Sequence, residues 1–600
     1  MLISKTIFKE YTRCARICAL DELYKKKIIA LPFAKDNDLA IELLDSMFNE
    51  EGDDLIDING EEIEALLPYY NKYEKHAIEI AERIIGKPII HSLYTKLQKS
   101  FSYNTNEHTY ITYLDGYLEG EKNISIFEVK STTASTALNF GYTKDKVRWP
   151  LFVRDGNFLR VREVGESDDK KKYANVYEKL FNRYDGFGKY VFDLAVEKYI
   201  IDNSIKGLGE YATKEFKYYL VILNPDYTYD GSVDSNKDYV YKTDKEGNEL
   251  IYLVDLTKVV CEYQDKIKAM DEELIQNLKN MDSRKVRVGE FCEYKSKHGC
   301  PFAKGVCFEE FLQSGSILEY FRNDKLSDER GIKHSKFDCI NSGLVKLDSI
   351  PEAWLSTINR KIQRECFVKG IDYINKDRII EAYRGLKYPL YHLDFESFHQ
   401  PLPRFRGEHP YTQSVFQFSL HIEKAPGVCD LVKDHVEYLA KDHSDNRLSL
   451  IQKMVGAIDL SDGGTVIVYN ENFEKTRLKE LAECFPEHAK ELLAIRDHIF
   501  DLERLLIGES GKPINFYDNR LHGSFSIKKV LPIFAPELSY DNLSGVHNGV
   551  EAITAYAKYD KLEADDLKEL QDNLVKYCRQ DTYAMFVCLK GILGKVGINL

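Results

Sequence analysis

The chain has 600 residues, of which 44% are hydrophobic and 30% charged, and its formal net charge at pH 7 is −14. A chain this long exceeds what one hydrophobic core fills, so we expect two or three domains. The negative balance argues against a protein that coats nucleic acid through overall positive charge, but it suits carboxylate-rich metal sites. No apolar run is long enough to span a membrane, and charge comes too early at the N-terminus for a signal peptide, so we expect a cytoplasmic protein.

The first half of the chain predicts a mixture of helices and strands. A helix over residues 1–30 contains Cys14 and Cys18, and an amphipathic helical pattern runs from Lys72 to Ile85. Two strands flank a turn between Tyr110 and Thr133. The further predicted elements are a helix over 189–203, strands over 217–224 and 250–256, and a polar helix over 262–281.

The predicted hairpin carries charged residues that suit phosphate chemistry. Asp115 lies on its first strand, and Glu128 and Lys130 share one face of the second. Two carboxylates can hold a metal ion, and a lysine can orient or help to deprotonate an attacking water. The same Glu-x-Lys pattern also occurs as a surface charge pair on ordinary strands.

Neighbouring helices offer further polar residues to this site. Asp193 and Glu197 lie one turn apart on the helix that follows, and His76 and Glu79 lie on an upstream helix. For these four residues we expect an exposed helix face.

A segment between the hairpin and the helix at 189–203 alternates basic and aromatic residues, a pattern that suits either a nucleic-acid groove or a solvated strand face. Its members are Arg148, Trp149, Phe152, Arg154, Phe158, Arg160 and Arg162.

Cysteines are grouped in a way that predicts a metal centre. Cys292, Cys300 and Cys307 lie close together, and Cys14 supplies a fourth thiol, with Cys18 as the alternative. Thiols in the cytoplasm are usually reduced or bound to metal. Four thiolates suit a 4Fe–4S cluster, and structural Zn²⁺ is the alternative. The remaining cysteines are predicted to fill the core: Cys261, Cys339, Cys366, Cys429, Cys484, Cys578 and Cys588.

The hairpin and its cysteines resemble a known nuclease type. The pattern Asp…Glu-x-Lys, in the segment Phe-Glu-Val-Lys-Ser-Thr-Thr, resembles the RecB-like branch of the PD-(D/E)xK nucleases. One cysteine before this core and three after it resemble the members with an iron–sulfur staple. The resemblance implies that Asp115 and Glu128 hold a metal, that Lys130 is catalytic, and that DNA is the substrate.

The second half predicts a polar, helical connector over 311–386 and then alternating strands and helices from Tyr388. Asp394 and Glu396 lie two residues apart on an apolar strand and so share a face. Burying two like charges together is too costly unless something neutralises them, and a divalent metal is the usual answer. Glu474 follows a later strand, and Asp581 lies on a helix one turn after Tyr577.

These acidic segments resemble the three motifs of DnaQ-like 3′–5′ exonucleases. The resemblance implies that two Mg²⁺ or Mn²⁺ ions are held by Asp394, Glu396, Glu474 and Asp581, and that Tyr577 positions the attacking water. The second motif of that family ends in aspartate, whereas this one ends in Glu474. The longer side chain still reaches a metal but alters the geometry.

As a whole, the chain resembles a bacterial family that joins an iron–sulfur RecB-like nuclease to a DnaQ-like exonuclease. We therefore predict an α/β protein with a RecB-like, restriction-endonuclease-like domain over 1–310, the connector over 311–386 and an RNase H-like domain over 387–600. The expected function is metal-dependent cleavage of DNA from single-stranded ends, in repair or defence. An RNA exonuclease and a nucleic-acid-binding scaffold with decayed sites are the alternatives.

Overall fold

The structure is a computed structural model that describes residues 1–29, 60–292, 300–311, 313–321 and 325–600. It is a mixed α/β protein with several sheets. The described residues divide into two compact units. The first unit comprises residues 1–29, 67–292, 300–305 and 400–412, and the second comprises the described residues of 60–66, 306–399 and 413–600.

Eleven strands lie in the described part of the first unit, and six of them form a sheet of order β4-β5-β10-β11-β9-β8. A three-stranded sheet has the order β1-β3-β2, and β6 pairs with β7. The strands are β1 (Leu2–Ser4), β2 (Lys99–Asn104), β3 (Thr109–Leu114), β4 (Gly116–Glu119), β5 (Asn123–Thr133), β6 (Gly141–Lys144), β7 (Val147–Pro150), β8 (Phe152–Asp155), β9 (Phe158–Val161), β10 (Glu215–Leu223) and β11 (Ile251–Asp255).

The strand β5 is buried along most of its length, including its polar residues Ser125, Glu128, Lys130 and Ser131. It pairs in parallel with β10 and antiparallel with β4. The helices over residues 5–280 are α1 (Lys5–Tyr11), α2 (Ile17–Lys25), α3 (Gly60–Ile85), α4 (Ser135–Leu138), α5 (Lys170–Glu178), α6 (Gly188–Ser204), α7 (Thr257–Glu262) and α8 (Gln264–Asn280).

The second unit contains a five-stranded sheet of order β17-β16-β15-β18-β19. Its central strand β15 pairs antiparallel with β16 and in parallel with β18. The described strands are β12 (Leu326–Ser327), β13 (Lys333–His334), β14 (Tyr373–Ile374), β15 (Leu390–Phe398), β16 (Ser414–Glu423), β17 (His435–Leu439), β18 (Thr465–Val468), β19 (Ile499–Asp501) and β20 (Phe516–Tyr517).

Ten described α-helices lie over residues 336–595. They are α9 (Lys336–Asn341), α10 (Ile358–Lys369), α11 (Lys376–Arg384), α12 (Arg447–Ala457), α13 (Glu471–Cys484), α14 (Ala489–Asp497), α15 (Leu502–Ile507), α16 (Ile527–Phe534), α17 (Gly549–Ala557) and α18 (Ala564–Lys595). Among the described helices, none is long and apolar enough to cross a membrane.

The two faces of β15 have different partners. Tyr391, Leu393 and Phe395 pack into an apolar core with residues of α12 to α14. Successive side chains of a strand point to opposite faces, so Asp394 and Glu396 point away from this core. The long helix α18 contacts both β15 and β16, and through it a second set of polar residues reaches the sheet.

Candidate active sites

Asp394, Glu396 and Cys578 form the tightest group of potential metal ligands found among the described residues. One carboxylate oxygen of each acid and the Cys578 sulfur all lie within 4.8 Å of one another. The Cys578 thiol, on α18, donates a hydrogen bond of 3.5 Å to Oδ2 of Asp394. Burial and the charges of Asp394 and Glu396 raise the pKa of this thiol well above its usual value.

Glu474 lies in the first turn of α13 and is 1% exposed. Its Oε2 atom is buried without a hydrogen-bond partner among the described residues. Burial, followed by the negative charge of Asp394, raises the pKa of Glu474 well above its usual range. Positive charge beside the pair would therefore favour the ionised form of both acids.

The start of α13 is fixed by a buried carboxylate. Asp501, at the end of β19, accepts hydrogen bonds from the backbone N–H groups of Asn470 at 3.2 Å and Glu471 at 3.4 Å. Asn470 has a φ of 93°, in the left-handed region that asparagine tolerates better than most residues. This turn between β18 and α13 places Glu474 near Asp394.

Asp581 and Tyr577 lie on one side of α18, a turn apart, and are 8% and 4% exposed. Tyr540 donates a hydrogen bond of 2.5 Å to Oδ1 of Asp581, and its ring lies 6.1 Å from that of Tyr577. Burial and the charge of Asp581 raise the pKa of Tyr540 well above its usual value, so the hydroxyl keeps its proton as a donor. The negative charge of Asp581 also raises the pKa of Cys578, so the two side chains are close enough to interact.

A hydrogen-bond chain fixes α18 against the sheet. Arg579 donates to Nδ1 of His435 at 3.2 Å, and Nε2 of His435 lies 2.8 Å from the Ser419 hydroxyl. That hydroxyl is 2.7 Å from Thr582, which lies 2.8 Å from Nδ1 of His421. Because Nε2 of His421 donates to a backbone carbonyl at 3.0 Å, its Nδ1 accepts. These contacts set the direction in which Cys578 and Asp581 point.

In the first unit, Glu128 and Lys130 share a face of β5, as predicted. Both are buried, at 1% and 8% exposed, and their charged groups lie 3.1 Å apart. They therefore do not form a surface charge pair. Lys5 of α1 joins them, since its ammonium group donates to both oxygens of Glu128 at 2.8 and 2.9 Å.

Asp115 lies beside this group, between β3 and β4. Its Oδ2 atom accepts the backbone N–H of Val129 at 2.9 Å. Burial, together with the negative charge of Glu128, raises the pKa of Asp115 to about 8. The burial penalty on Glu128 is outweighed by Lys5 and Lys130, which hold its pKa below the usual range.

The expectation of an exposed helix face is wrong for Asp193 and Glu197. They are 4% and 0% exposed, because α6 is covered on most sides. Lys5 donates to Glu197 at 2.7 Å, and Lys9 pairs with Asp193 at 2.8 Å. Asp193 also lies 3.6 Å from the Lys130 ammonium group, so both acids belong to the Glu128 group.

His76 and Glu79 pair with each other at 3.1 Å. Glu79 is half exposed, and among the described residues neither side chain pairs with Glu128.

The predicted cysteine ligands lie in described segments. Cys292 and Cys300 are each 8% exposed, and the N–H of Cys300 donates to the carbonyl of Cys292 at 3.0 Å. Arg13 donates to the carbonyl of Phe291 at 3.3 Å, which places the Cys14 segment beside the Cys292 segment. Cys307 ends a π-helical turn, Ala303–Cys307. Cys18 is buried, which raises its pKa to about 12.

Most arginines of β7 to β9 form ion pairs with acidic residues or contact aromatic rings. Arg160 binds Glu166 through two hydrogen bonds of 2.8 and 2.7 Å, and Arg154 pairs with Asp226 at 2.5 Å. The Arg162 guanidinium lies 5.5 Å from the centre of the Trp149 ring. These contacts fit a solvated strand face better than a basic groove.

Sequence reasoning missed three participants. Cys578 was predicted to fill the core, yet it lies three residues before Asp581 on α18, a spacing that puts both on one helix face. Tyr540 and Lys5 carry no comparable signal, because their partners lie 41, 123 and 192 positions away.

The molecule is thus a mixed α/β protein with a carboxylate–lysine group in one unit and a carboxylate–thiol group in the other. A family model described as "Domain of unknown function (DUF2779)" matches residues 391–526, which include Asp394, Glu396 and Glu474. No solved structure matches the chain.

Several curated relatives match part of the chain. The uncharacterised protein UU173 of Ureaplasma parvum is 29% identical over 220 residues, which cover 34% of this chain and 31% of the relative. The uncharacterised protein MG366 of Mycoplasma genitalium is 27% identical over 275 residues, or 44% and 38% of the two chains. Its homologue in Mycoplasma pneumoniae is 28% identical over 234 residues, or 36% and 34%. The chain thus spans about a third of the length of these relatives.

Proposed function

We propose that the chain is a metal-dependent nuclease that hydrolyses phosphodiester bonds of DNA, with its principal active site in the second unit. The observation that carries this proposal is the convergence of Asp394, Glu396 and Cys578 within 4.8 Å on the central strand and α18. The strand order of the second unit supports the RNase H-like fold expected for it. The buried Glu128 and Lys130 on β5 support a PD-(D/E)xK-like fold for the first.

The residues of the second site fit a divalent cation. Asp394, Glu396 and Asp581 supply carboxylate oxygens, and the buried Glu474 Oε2 lacks a hydrogen-bond partner among the described residues. Oxygen donors suit Mg²⁺ and Mn²⁺. A cation bound there would supply Lewis acidity for water activation and for stabilising the leaving oxygen.

The surrounding side chains orient this site. Tyr540 holds Asp581 through its hydroxyl, which fixes one carboxylate oxygen. Tyr577, buried on the same helix face, would position the attacking water. The apolar core behind β15 keeps the strand rigid, so that Asp394 and Glu396 keep their spacing.

The first unit would hold a second nuclease site of lower accessibility to cations. Asp115 and Glu128 would be the ligands and Lys130 would orient water. Lys5 occupies both oxygens of Glu128, so a cation would bind there only after this ammonium group moves. The cysteines Cys14, Cys292, Cys300 and Cys307 would ligate an iron–sulfur cluster, with Zn²⁺ as the alternative.

DNA is the proposed polymer by analogy with RecB-like nucleases. The test is cleavage of end-labelled single-stranded DNA with Mn²⁺ by the wild type, Asp394→Asn, Lys130→Ala and the double variant, with matched RNA in parallel. Asp572→Asn, an exposed acid on α18, is the control. We expect Asp394→Asn to abolish cleavage and Asp572→Asn to leave it unchanged.

Loss of cleavage only in Lys130→Ala would instead assign the activity to the first unit. Cleavage that survives in the double variant would refute both sites. If RNA alone is cut, the RNA exonuclease replaces the DNA nuclease, and a wild type that cuts neither polymer favours the nucleic-acid-binding scaffold.

A further inference from the structure

We propose that Cys578 is a protein ligand of the cation site in the second unit, and that the site therefore takes a sulfur-accepting divalent cation of the Fe²⁺, Co²⁺ or Zn²⁺ class in preference to Mg²⁺. This inference deepens the proposed function, since it names the class of cation that the same site binds. It rests on geometry, donor chemistry and a contrast between two cysteines of one helix.

The geometry allows the three side chains to share one ion. Ligand atoms about 2.0–2.3 Å from a common cation lie at most about 4.5 Å apart. The Cys578 sulfur and the two carboxylate oxygens are within 4.8 Å of one another. Small rotations of Asp394 and Glu396 are enough to bring all three into one coordination shell.

The setting of Cys578 differs from that of a cysteine that fills a core. Its sulfur faces Asp394 and donates a hydrogen bond to it. Cys588, ten residues later on α18, is similarly buried at 2% exposed, but burial is what raises its pKa, and no charged group among the described residues contributes. An apolar side chain would fill the space at Cys588, whereas at Cys578 it would forfeit the contact with Asp394.

The donor set selects the cation. Mg²⁺ requires oxygen ligands in near-ideal octahedral geometry, whereas softer first-row cations accept thiolate. When the thiolate binds, the Cys578 proton passes to solvent, so the Cys–S–metal bond replaces S–H. Glu474, whose buried Oε2 lacks a described partner, offers a further oxygen to the same group.

The test uses the full chain and Cd²⁺ as the probe, followed by cadmium-113 NMR. The chemical shift separates a mixed site with one thiolate from a site with four thiolates, so the cysteines at 14, 292, 300 and 307 do not obscure the result. We expect a one-thiolate resonance in the wild type and in Cys588→Ser, and its loss in Cys578→Ser.

Titrations give the second readout. Cys578→Ser should weaken Zn²⁺ binding by at least about 10-fold, as loss of a metal-supporting side chain commonly does, and change Mg²⁺ binding by less than about twofold. Cys578→Ala repeats the test if the serine variant does not fold. A one-thiolate resonance that persists in both variants, or that also disappears in Cys588→Ser, would overturn the inference.

The same preparations separate this inference from the proposed function. If Cd²⁺ binds Cys578 but no polymer is cut, the nuclease proposal fails and the ligand assignment stands. If cleavage depends on Asp394 and no resonance depends on Cys578, the ligand assignment fails and the proposal of nuclease activity is supported.

Discussion

Lys5 balances the negative charge of two buried glutamates in the first unit. Its ammonium group lies within hydrogen-bond distance of Glu128 and Glu197, which are 1% and 0% exposed. Lys5→Met would leave these carboxylates without their main counter-charge, and removing one partner of a buried ion pair costs about 3–5 kcal/mol. We expect Lys5→Met to lower the thermal unfolding temperature clearly. Adding Mn²⁺ should raise that temperature by more in Lys5→Met than in the wild type.

Lys9→Met is the matched control, because Lys9 contacts Asp193 rather than Glu128. Thermal unfolding with and without Mn²⁺ measures both variants. An equal rise of the unfolding temperature on adding Mn²⁺ in the two variants would show that Lys5 and a cation do not compete for Glu128.

Glu474 distinguishes a working site from a decayed one. Burial and the charge of Asp394 raise its pKa well above the usual range, which favours its neutral form in the absence of a cation. Glu474→Gln mimics that neutral form, and we expect stability without metal to stay within about 0.5 kcal/mol of the wild type. Mn²⁺ affinity, measured by calorimetry, should fall by at least about 10-fold.

The control for Glu474→Gln is the exposed Asp572→Asn on α18. An unchanged Mn²⁺ affinity in Glu474→Gln would remove Glu474 from the ligand set and favour the scaffold alternative.

At the scale of elements, neutral histidines hold α18 on the sheet. Burial, with His392 and Arg579 nearby, lowers the pKa of His421 to about 4; burial, with His421 and Arg579 nearby, lowers that of His435 to about 3. An unfolded histidine titrates near 6.5, so below that pH the unfolded state binds more protons than the folded state. The contribution of these two histidines to stability is therefore complete above pH 6.5, and it is lost as the pH drops toward 4.

Replacing these histidines should flatten that dependence. Each contributes up to about 1.4 kcal/mol per pH unit below 6.5, so we expect the double variant His421→Asn, His435→Asn to lose less stability than the wild type between pH 6.5 and 5. Urea unfolding at both pH values, followed through the second unit, measures the difference. An identical slope in wild type and variant would contradict a role of these histidines in the acid response.

The elements also show what local pattern could reveal. Strand alternation is sufficient to predict that Asp394 shares a face with Glu396, and that Glu128 shares one with Lys130. Helical spacing is sufficient to predict that Tyr577 and Asp581 lie on one side of a helix. Cys578 shares this helical spacing, but a cysteine in a helix is so often a core residue that it was predicted to fill the core. Asp193 and Glu197 were misjudged because α6 carries acids on sides that other elements cover, and burial of that kind depends on tertiary packing.

At the scale of the whole chain, contacts distant in sequence were beyond prediction. Lys5 meets Glu128 and Glu197 only because α1, β5 and α6 pack together, and no periodicity encodes that meeting. The same limit applies to residues 400–412. They follow β15 directly in sequence, within the predicted domain 387–600, but they cluster with the first unit.

Leu402 tests this unit assignment. It is 4% exposed and packs in the core of the first unit with residues such as Tyr241, Leu250 and Val221. Truncating a buried leucine costs about 2–5 kcal/mol, so Leu402→Ala should destabilise the first unit although the residue lies between two strands of the second. Hydrogen exchange with peptide-level resolution should show faster exchange in β5 and β10.

Leu450→Ala, in the core behind β15, is the matched control and should accelerate exchange in β15, β16 and α12 instead. The contrast works because cooperative opening follows packed cores rather than sequence order. If Leu402→Ala accelerates exchange only in β15 and β16, residues 400–412 belong energetically to the second unit.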